Sequence, residues 1–238
     1  MASIRALAAC IGVDGDISVL RDFYGFIRGQ LPPDPTGADV SVSLKRQVTR
    51  LEGDHFHLNV IQVGSDQFTD SDFIEIDYSI FRIRNIYEQV SLGVGRILHW
   101  IVTTEQADGL DTPTSEDDLR DLTHDWTVDN DAIDMFIPHN MSVPSNGGSV
   151  LGLSPVEGPC DKDAKDMNGS TCGLFGSEQT SRSFAHEIGH YLGLEHRNNS
   201  PSNLMCQSSK ASSIRNSVNL TSSQGDNMHD HCFVTGGC

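Results

Sequence analysis

The sequence predicts an α+β domain with α/β layering. Three observations predict it: a branched-residue strand at 55–64, a long one-sided helix at 71–90, and a second helix at 180–194 that follows further strand-like runs and carries several histidines. Elements that are apolar on one side must bury that side against one another, which builds layers. With 238 residues and 37% hydrophobic content, the chain can form one large domain, or one domain with an appended segment.

The first 53 residues read as an N-terminal segment, a prosegment or an extension. The run "LAAC" ending at Cys10 is similar to a lipoprotein cleavage box, but the apolar stretch before it is short and Arg5 interrupts it. The start therefore reads as one left after a signal peptide is removed, or as the start of a prosegment. "SVLRDFYGFI" suits a short helix, and "LPPDPTG" at 31–37 is a cluster of helix and strand breakers that suits a linker. "HFHLNVIQVG" alternates and is rich in branched residues, so it is a strand.

In "DSDFIEIDYSIFRIRNIYEQV", Phe73, Ile76, Ile80, Ile83, Tyr87 and Val90 fall three and four apart, which is one stripe of a helix facing a core. Thr69, Asp70 and Ser71 supply capping groups at its start. "GRILHWIVT" (95–103) is a second strand, and "SEDDLRDLTHDW" a short acidic helix or loop. "AIDMFIPHN" (132–140) and "SVLGLSP" (149–155) are further strands, and "GPCDKDAKDMNGSTCG" is a loop. Past Glu195 the chain turns polar and loses periodicity. The divisions expected are thus 1–53, 54–196 and 197–238, the last a small irregular unit.

Charge and cysteine content bound the function. A formal net charge of -17 repels phosphate backbones, so no nucleic-acid partner is expected. No apolar run approaches the ~18 residues of a membrane span. The six cysteines include no CxxC pair, so a cysteine-based zinc knuckle is not expected. Their even number and wide spacing point to disulfides and an oxidising compartment. Pairing Cys160 with Cys172 would close a short polar loop, and Cys206 has Cys232 or Cys238 as candidate partners; spacing alone leaves the connectivity open.

The chemistry concentrates in "AHEIGHYLGLEHR". Residues four apart on a helix share a face, so His186 and His190 can direct their rings at one metal ion. Glu187 sits beside that face without taking a ligand position, where it can accept a proton from a water that zinc acidifies to a pKa of about 7. His196 lies ten residues past His186, about 15 Å along a continuing helix axis, so the chain must turn before it can join. Gly193 can adopt the left-handed conformation that ends a helix and brings His196 back as a third ligand. Three protein ligands leave a fourth position open, the pattern of a catalytic rather than a structural zinc site.

The run His186-Glu187-Ile188-Gly189-His190-Tyr191-Leu192-Gly193-Leu194-Glu195-His196 is HExxHxxGxxH and resembles the zinc motif of the metzincin metalloendopeptidases. Met205, nine residues after His196 in a turn-like setting, resembles that family's methionine turn. The resemblance covers roughly residues 54–238. It implies a twisted mixed sheet with a backing helix and an active-site helix, above a small irregular C-terminal subdomain. It also implies one catalytic Zn2+ and a peptide or protein substrate that pairs with an edge strand above the cleft.

Ser149, Val150, Leu151, Gly152, Leu153 and Ser154 are the candidate strand. An edge offers unpaired backbone groups to an extended chain, and Gly147, Gly148 and Gly152 leave room for close approach. In some metzincins a prosegment cysteine ligates the zinc in a latent form; Cys10, or Asp14 and Asp16, are the candidates here. Arg197 after the last histidine, and the absence of any tyrosine beyond Met205, are expected to set the chain apart from astacins, reprolysins and serralysins. The tail is loosely similar to bacterial and pappalysin-like members.

Asp161, Asp163, Asp166 and Asn168 crowd one loop with oxygen ligands suited to Ca2+, though EF-hand spacing is absent and a solvated acidic loop is the simpler reading. The expectation is therefore a secreted, monomeric zinc-dependent endopeptidase with Glu187 as general base. Two other readings share these residues: a zinc hydrolase acting on a non-peptide amide, and a binding or toxin module with a vestigial site. The presence of Glu187 argues against the last, since a structural zinc site needs no base.

Overall fold

The structure is a computed structural model that describes residues 53–145 and 148–237. The expected helix near residue 20, the 31–37 linker, Cys10, Asp14, Asp16, Gly147 and Cys238 lie outside the described residues. In chain order the elements are β1 (Asp54–Val63), α1 (Asp70–Tyr87), β2 (Gly93–Val102), α2 (Thr104–Ala107), α3 (Glu116–Asp125) and β3 (Ala132–Pro138). There follow β4 (Pro144–Ser145), β5 (Gly148–Ser149), β6 (Gly152–Leu153), β7 (Ser170–Cys172), α4 (Ser177–Tyr191), α5 (Ser222–His229) and β8 (Val234–Gly236).

The main sheet runs in the order β2-β1-β3-β7-β6. β1 is parallel to both β2 and β3, and β3 is parallel to β7, whereas β6 is antiparallel to β7. β8 returns antiparallel to β1. β1 is buried from His55 to Val63 because parallel strands carry helices on both faces. Its Phe56, Leu58 and Val60 share a core with Ile76, Ile80 and Ile83 of α1 and with Phe184 and Ile188 of α4. Its Ile61 and Val63 face the other way, against Ala107 of α2 and Leu122 of α3. The expected layers are present.

The α1 stripe is buried at Ile76, Ile80, Ile83 and Tyr87, while Phe73 in the first turn is 37% exposed. At its start Asp72 Oδ2 reaches back to accept from the Thr69 amide at 2.7 Å, while the Asp72 amide donates to Thr69 O at 3.0 Å. α1 registers α4 through specific bonds. Tyr87 Oη donates to the Ala185 carbonyl at 2.6 Å, and Glu75 accepts from the Gly176 amide at 2.9 Å and from Thr180 Oγ1 at 2.5 Å. Among the described residues no helix is long and apolar enough to cross a membrane.

Three expectations need correction. "SVLGLSP" is not one strand: Ser149 pairs with Pro144 in a two-stranded hairpin, Val150 and Leu151 bridge, and only Gly152 and Leu153 form β6. The Ser170–Cys172 stretch, read as loop, is the buried strand β7; three residues are too few to show a period. Cys160 bonds Cys232, not Cys172, and Cys172 and Cys206 are buried free thiols. Cys172 lies on β7 facing α4, where its thiol reaches toward the Thr180 carbonyl and away from Cys160. The tail holds one helix, α5, capped by a Thr221–Gln224 box.

Candidate metal centre

α4 presents His186, Glu187 and His190, all buried. It ends where the sequence requires. Gly193 has φ +90°, its amide reaches His190 O at 2.9 Å, and the Leu194 amide reaches Gly189 O at 2.9 Å. That bond pair is a Schellman ending, which a left-handed residue makes possible. Asn227 of α5 donates to the Gly193 carbonyl at 2.8 Å and holds the turn from outside. The chain then doubles back and delivers His196.

The Nε2 atoms of His186 and His190 are 3.1 Å apart, and those of His190 and His196 are 3.2 Å apart. The three rings offer ligand atoms all within 4.8 Å of one another. His186 Nδ1 donates to Leu204 O at 2.8 Å, and His190 Nδ1 donates to Leu194 O at 2.6 Å. Each bond fixes the tautomer and leaves a bare lone pair on Nε2. The His186–His190 contact therefore sets acceptor against acceptor, with no proton to share.

Burial, with His190 next in effect, pushes His186 down to about 3; burial, with His196 next, pushes His190 down to about 4. Burial and the charge of Lys210 lower His196 as well. Three imidazoles with converging Nε2 atoms, two of them pre-oriented by Nδ1 bonds, are a donor set for a borderline metal dication, so the residues fit zinc.

Glu187 is 6% exposed and lines a cleft of about 460 Å³ with Gly152, Leu153, Ser154, Val156, His190, Glu195 and His196. Burial pushes its carboxyl up to about 8, with the Arg182 charge pulling partly back. A dication beside it would favour the carboxylate.

Met205 lies in a turn, fully buried, under α4. Its Sδ is 2.8 Å from where a Cβ on Gly189, the residue before His190, would stand. β6 closes the cleft from above as the last strand in the sheet order. A Cβ on Gly152 would stand 2.6 Å from both Glu187 Cγ and Thr171 O, so only glycine fits between strand and glutamate.

The structure brings together His186, Glu187, His190, His196, Met205 and the Gly152–Ser154 part of the candidate strand. It leaves Ser149 in the separate hairpin. The oxygen-rich loop does not gather around one point. Asp166 turns to Arg120 at 2.6 Å, Asn168 Oδ1 accepts from the Ala164 amide at 2.8 Å, and Asp161 and Asp163 are exposed. Among the described residues the only grouping of three or more His, Cys, Asp or Glu ligands is the histidine triad.

Sequence reasoning missed what anchors that loop. Lys162 is buried, and its Nζ donates to Asp134 Oδ1 at 2.9 Å and to Val128 O at 2.7 Å. Asp134 also accepts from Asn59 Nδ2 at 2.6 Å, and Asn59 Oδ1 from Trp100 Nε1 at 3.1 Å. A lysine in an acidic loop carries no sequence signal of burial.

Residues 59–229 match a family model described as metallo-peptidase family M12. The chain belongs to metallo-peptidase family M12. Among solved structures, this M12 chain is similar to metalloproteinase-II from Bacteroides fragilis, with TM-score 0.49 and 14% identity over 74% of this chain and 52% of that one. It is similar to archaemetzincin from Methanopyrus kandleri, with TM-score 0.48 and 14% identity over 74% and 94% of the two chains. It is also similar to a chain in a chaperone–substrate complex, with TM-score 0.50 and 12% identity over 76% of this chain and 35% of that one. The match thus spans about half the length of the Bacteroides protein.

Proposed function

We propose that this M12 chain is a secreted zinc-dependent endopeptidase. The observation that carries the reading is the convergence of three neutral imidazole lone pairs beside a buried glutamate, in a cleft bordered by a sheet-edge strand. His186, His190 and His196 would hold the metal. The bound zinc supplies Lewis-acid chemistry, polarising a carbonyl and lowering the pKa of water.

The protein's own groups do the rest. An extended peptide lies along β6 and pairs with its free backbone groups, which places the scissile carbonyl over the histidines. Gly152 keeps the space between strand and glutamate clear. Glu187 takes the proton of the attacking water on its carboxylate and passes it to the leaving amine nitrogen. No covalent intermediate with the protein forms. Met205 is the apolar floor under the ligands and serves as the family's methionine turn. The Cys160–Cys232 bond supports secretion, because disulfides persist in oxidising compartments.

The test is cleavage of a quenched fluorescent peptide library by the pure protein loaded with zinc, treated with a chelator, and carrying Glu187→Ala. Cleavage by the zinc form alone is expected. If the zinc-loaded protein cleaves no peptide even after removal of residues 1–50, the peptidase reading fails, and amide hydrolysis of another kind takes its place.

A further inference from the structure

Arg182 is the largest fully buried side chain of the described residues, 1% exposed, one helical turn before His186 on the same face of α4. Its guanidinium has no carboxylate partner within ion-pair distance among the described residues. It faces oxygens of the segment that follows the third histidine. Nε donates to Ser217 O at 3.0 Å, Nη1 to Ser208 Oγ at 3.1 Å, and Nη2 to both Leu204 O, at 3.0 Å, and Cys206 O.

Leu204 and Cys206 flank Met205, so one nitrogen grips the methionine turn from both sides. Leu204 O is also the acceptor of the His186 Nδ1 proton. That one carbonyl therefore links the guanidinium to the orientation of the first candidate ligand. Burying an unpaired cation costs several kcal/mol unless dipoles surround it. A planar fork with five donors can reach all four of these acceptors at once, whereas a lysine ammonium has only three donors.

We propose that Arg182 is a positioning residue for the metal centre. It locks the 204–217 segment onto α4, holds Met205 against Gly189, and fixes the Leu204 carbonyl that sets the His186 tautomer. The inference rests on the metallopeptidase reading of the same site. It goes beyond that reading by assigning metal retention to a residue that touches neither metal nor substrate. Partners that orient a ligand from behind typically change metal affinity 10–100-fold when altered.

The test compares wild type with Arg182→Lys, and with Leu122→Ala as a core substitution remote from the site. Zinc affinity is read by chelator competition, and the visible spectrum is read on cobalt-substituted protein. Arg182→Lys is expected to bind zinc at least ~10-fold more weakly and to shift the cobalt bands, while Leu122→Ala lowers the melting temperature and leaves both unchanged. Wild-type affinity and spectrum in Arg182→Lys would overturn the proposal and leave the peptidase reading intact. A wild type that binds no zinc would instead overturn the reading beneath it.

If Arg182→Lys does not fold, hydrogen exchange at the Arg182 Nε proton in the wild type decides. Coupling is reciprocal, so zinc loading must slow that exchange, and equal rates with and without zinc overturn the proposal.

Discussion

At the residue scale Gly152 and Glu187 shape the cleft, because the strand can pass over the glutamate only where no Cβ intervenes. Gly152→Ala forces Glu187 aside by an ångström or more. Since a misplacement of that size costs roughly 100-fold, kcat/KM should fall by about that factor while bound zinc stays at one per chain, measured by steady-state kinetics and metal analysis. Glu187→Gln keeps the volume and removes the proposed base. A drop in kcat of about 10²–10⁴-fold with zinc retained is expected. Gly193 requires the left-handed region at φ +90°. Gly193→Ala should therefore lower stability by about 1–2 kcal/mol in chemical denaturation, and weaken zinc binding because the turn delivers His196.

At the element scale, α5 is tied to the start of β1 and to the turn that follows α1 by one imidazole. His229 Nδ1 lies 2.6 Å from Asp54 Oδ2, and Nε2 lies 2.9 Å from Val90 O. Both nitrogens face acceptors, so the protonated ring satisfies both. Burial pulls its pKa down, but the bonds to Val90 O and Asp54 outweigh it and the net shift is upward. A raised histidine pKa gives stability that is complete below the unfolded value near 6.5 and is lost as pH rises through the folded value. Relative to His229→Gln, wild type should gain on the order of 0.5–1 kcal/mol below pH 6, a figure reduced for solvent screening. Urea melts across pH 5–9 should show the gap closing as pH rises. A gap that widens with pH would show that the ring is held neutral.

For the whole molecule, the Cys160–Cys232 bond closes a loop with sequence separation 72 and joins the segment beside the cleft to the C-terminal tail. Chain-entropy reasoning assigns such a cross-link about 4 kcal/mol. The double substitution of both cysteines by serine should lower the melting temperature by several degrees, without removing the Lys162–Asp134 anchor of the same loop. That anchor leaves the cleft geometry in place, so peptide cleavage at low temperature should persist.

The histidine triad, the glutamate beside it and the helix-ending glycine were legible in the sequence because they lie on one helix and its first turn. There, spacing converts to direction through the 3.6-residue period. The long strands and α1 were legible for the same reason, since each spans several periods and carries its own apolar pattern. Arg182, Lys162, the Cys160–Cys232 pairing and the division of residues 149–154 between a hairpin and the sheet edge were not. Each depends on which segment, tens of residues away, packs against it. A buried guanidinium and a solvated one have the same local sequence. By itself, the sequence determined the donor set and its handedness on α4, because helical geometry is local. Only the tertiary structure decided what stands behind those donors, because the carbonyls of 204, 206 and 217 reach Arg182 after the chain has turned back through a segment with no repeating pattern.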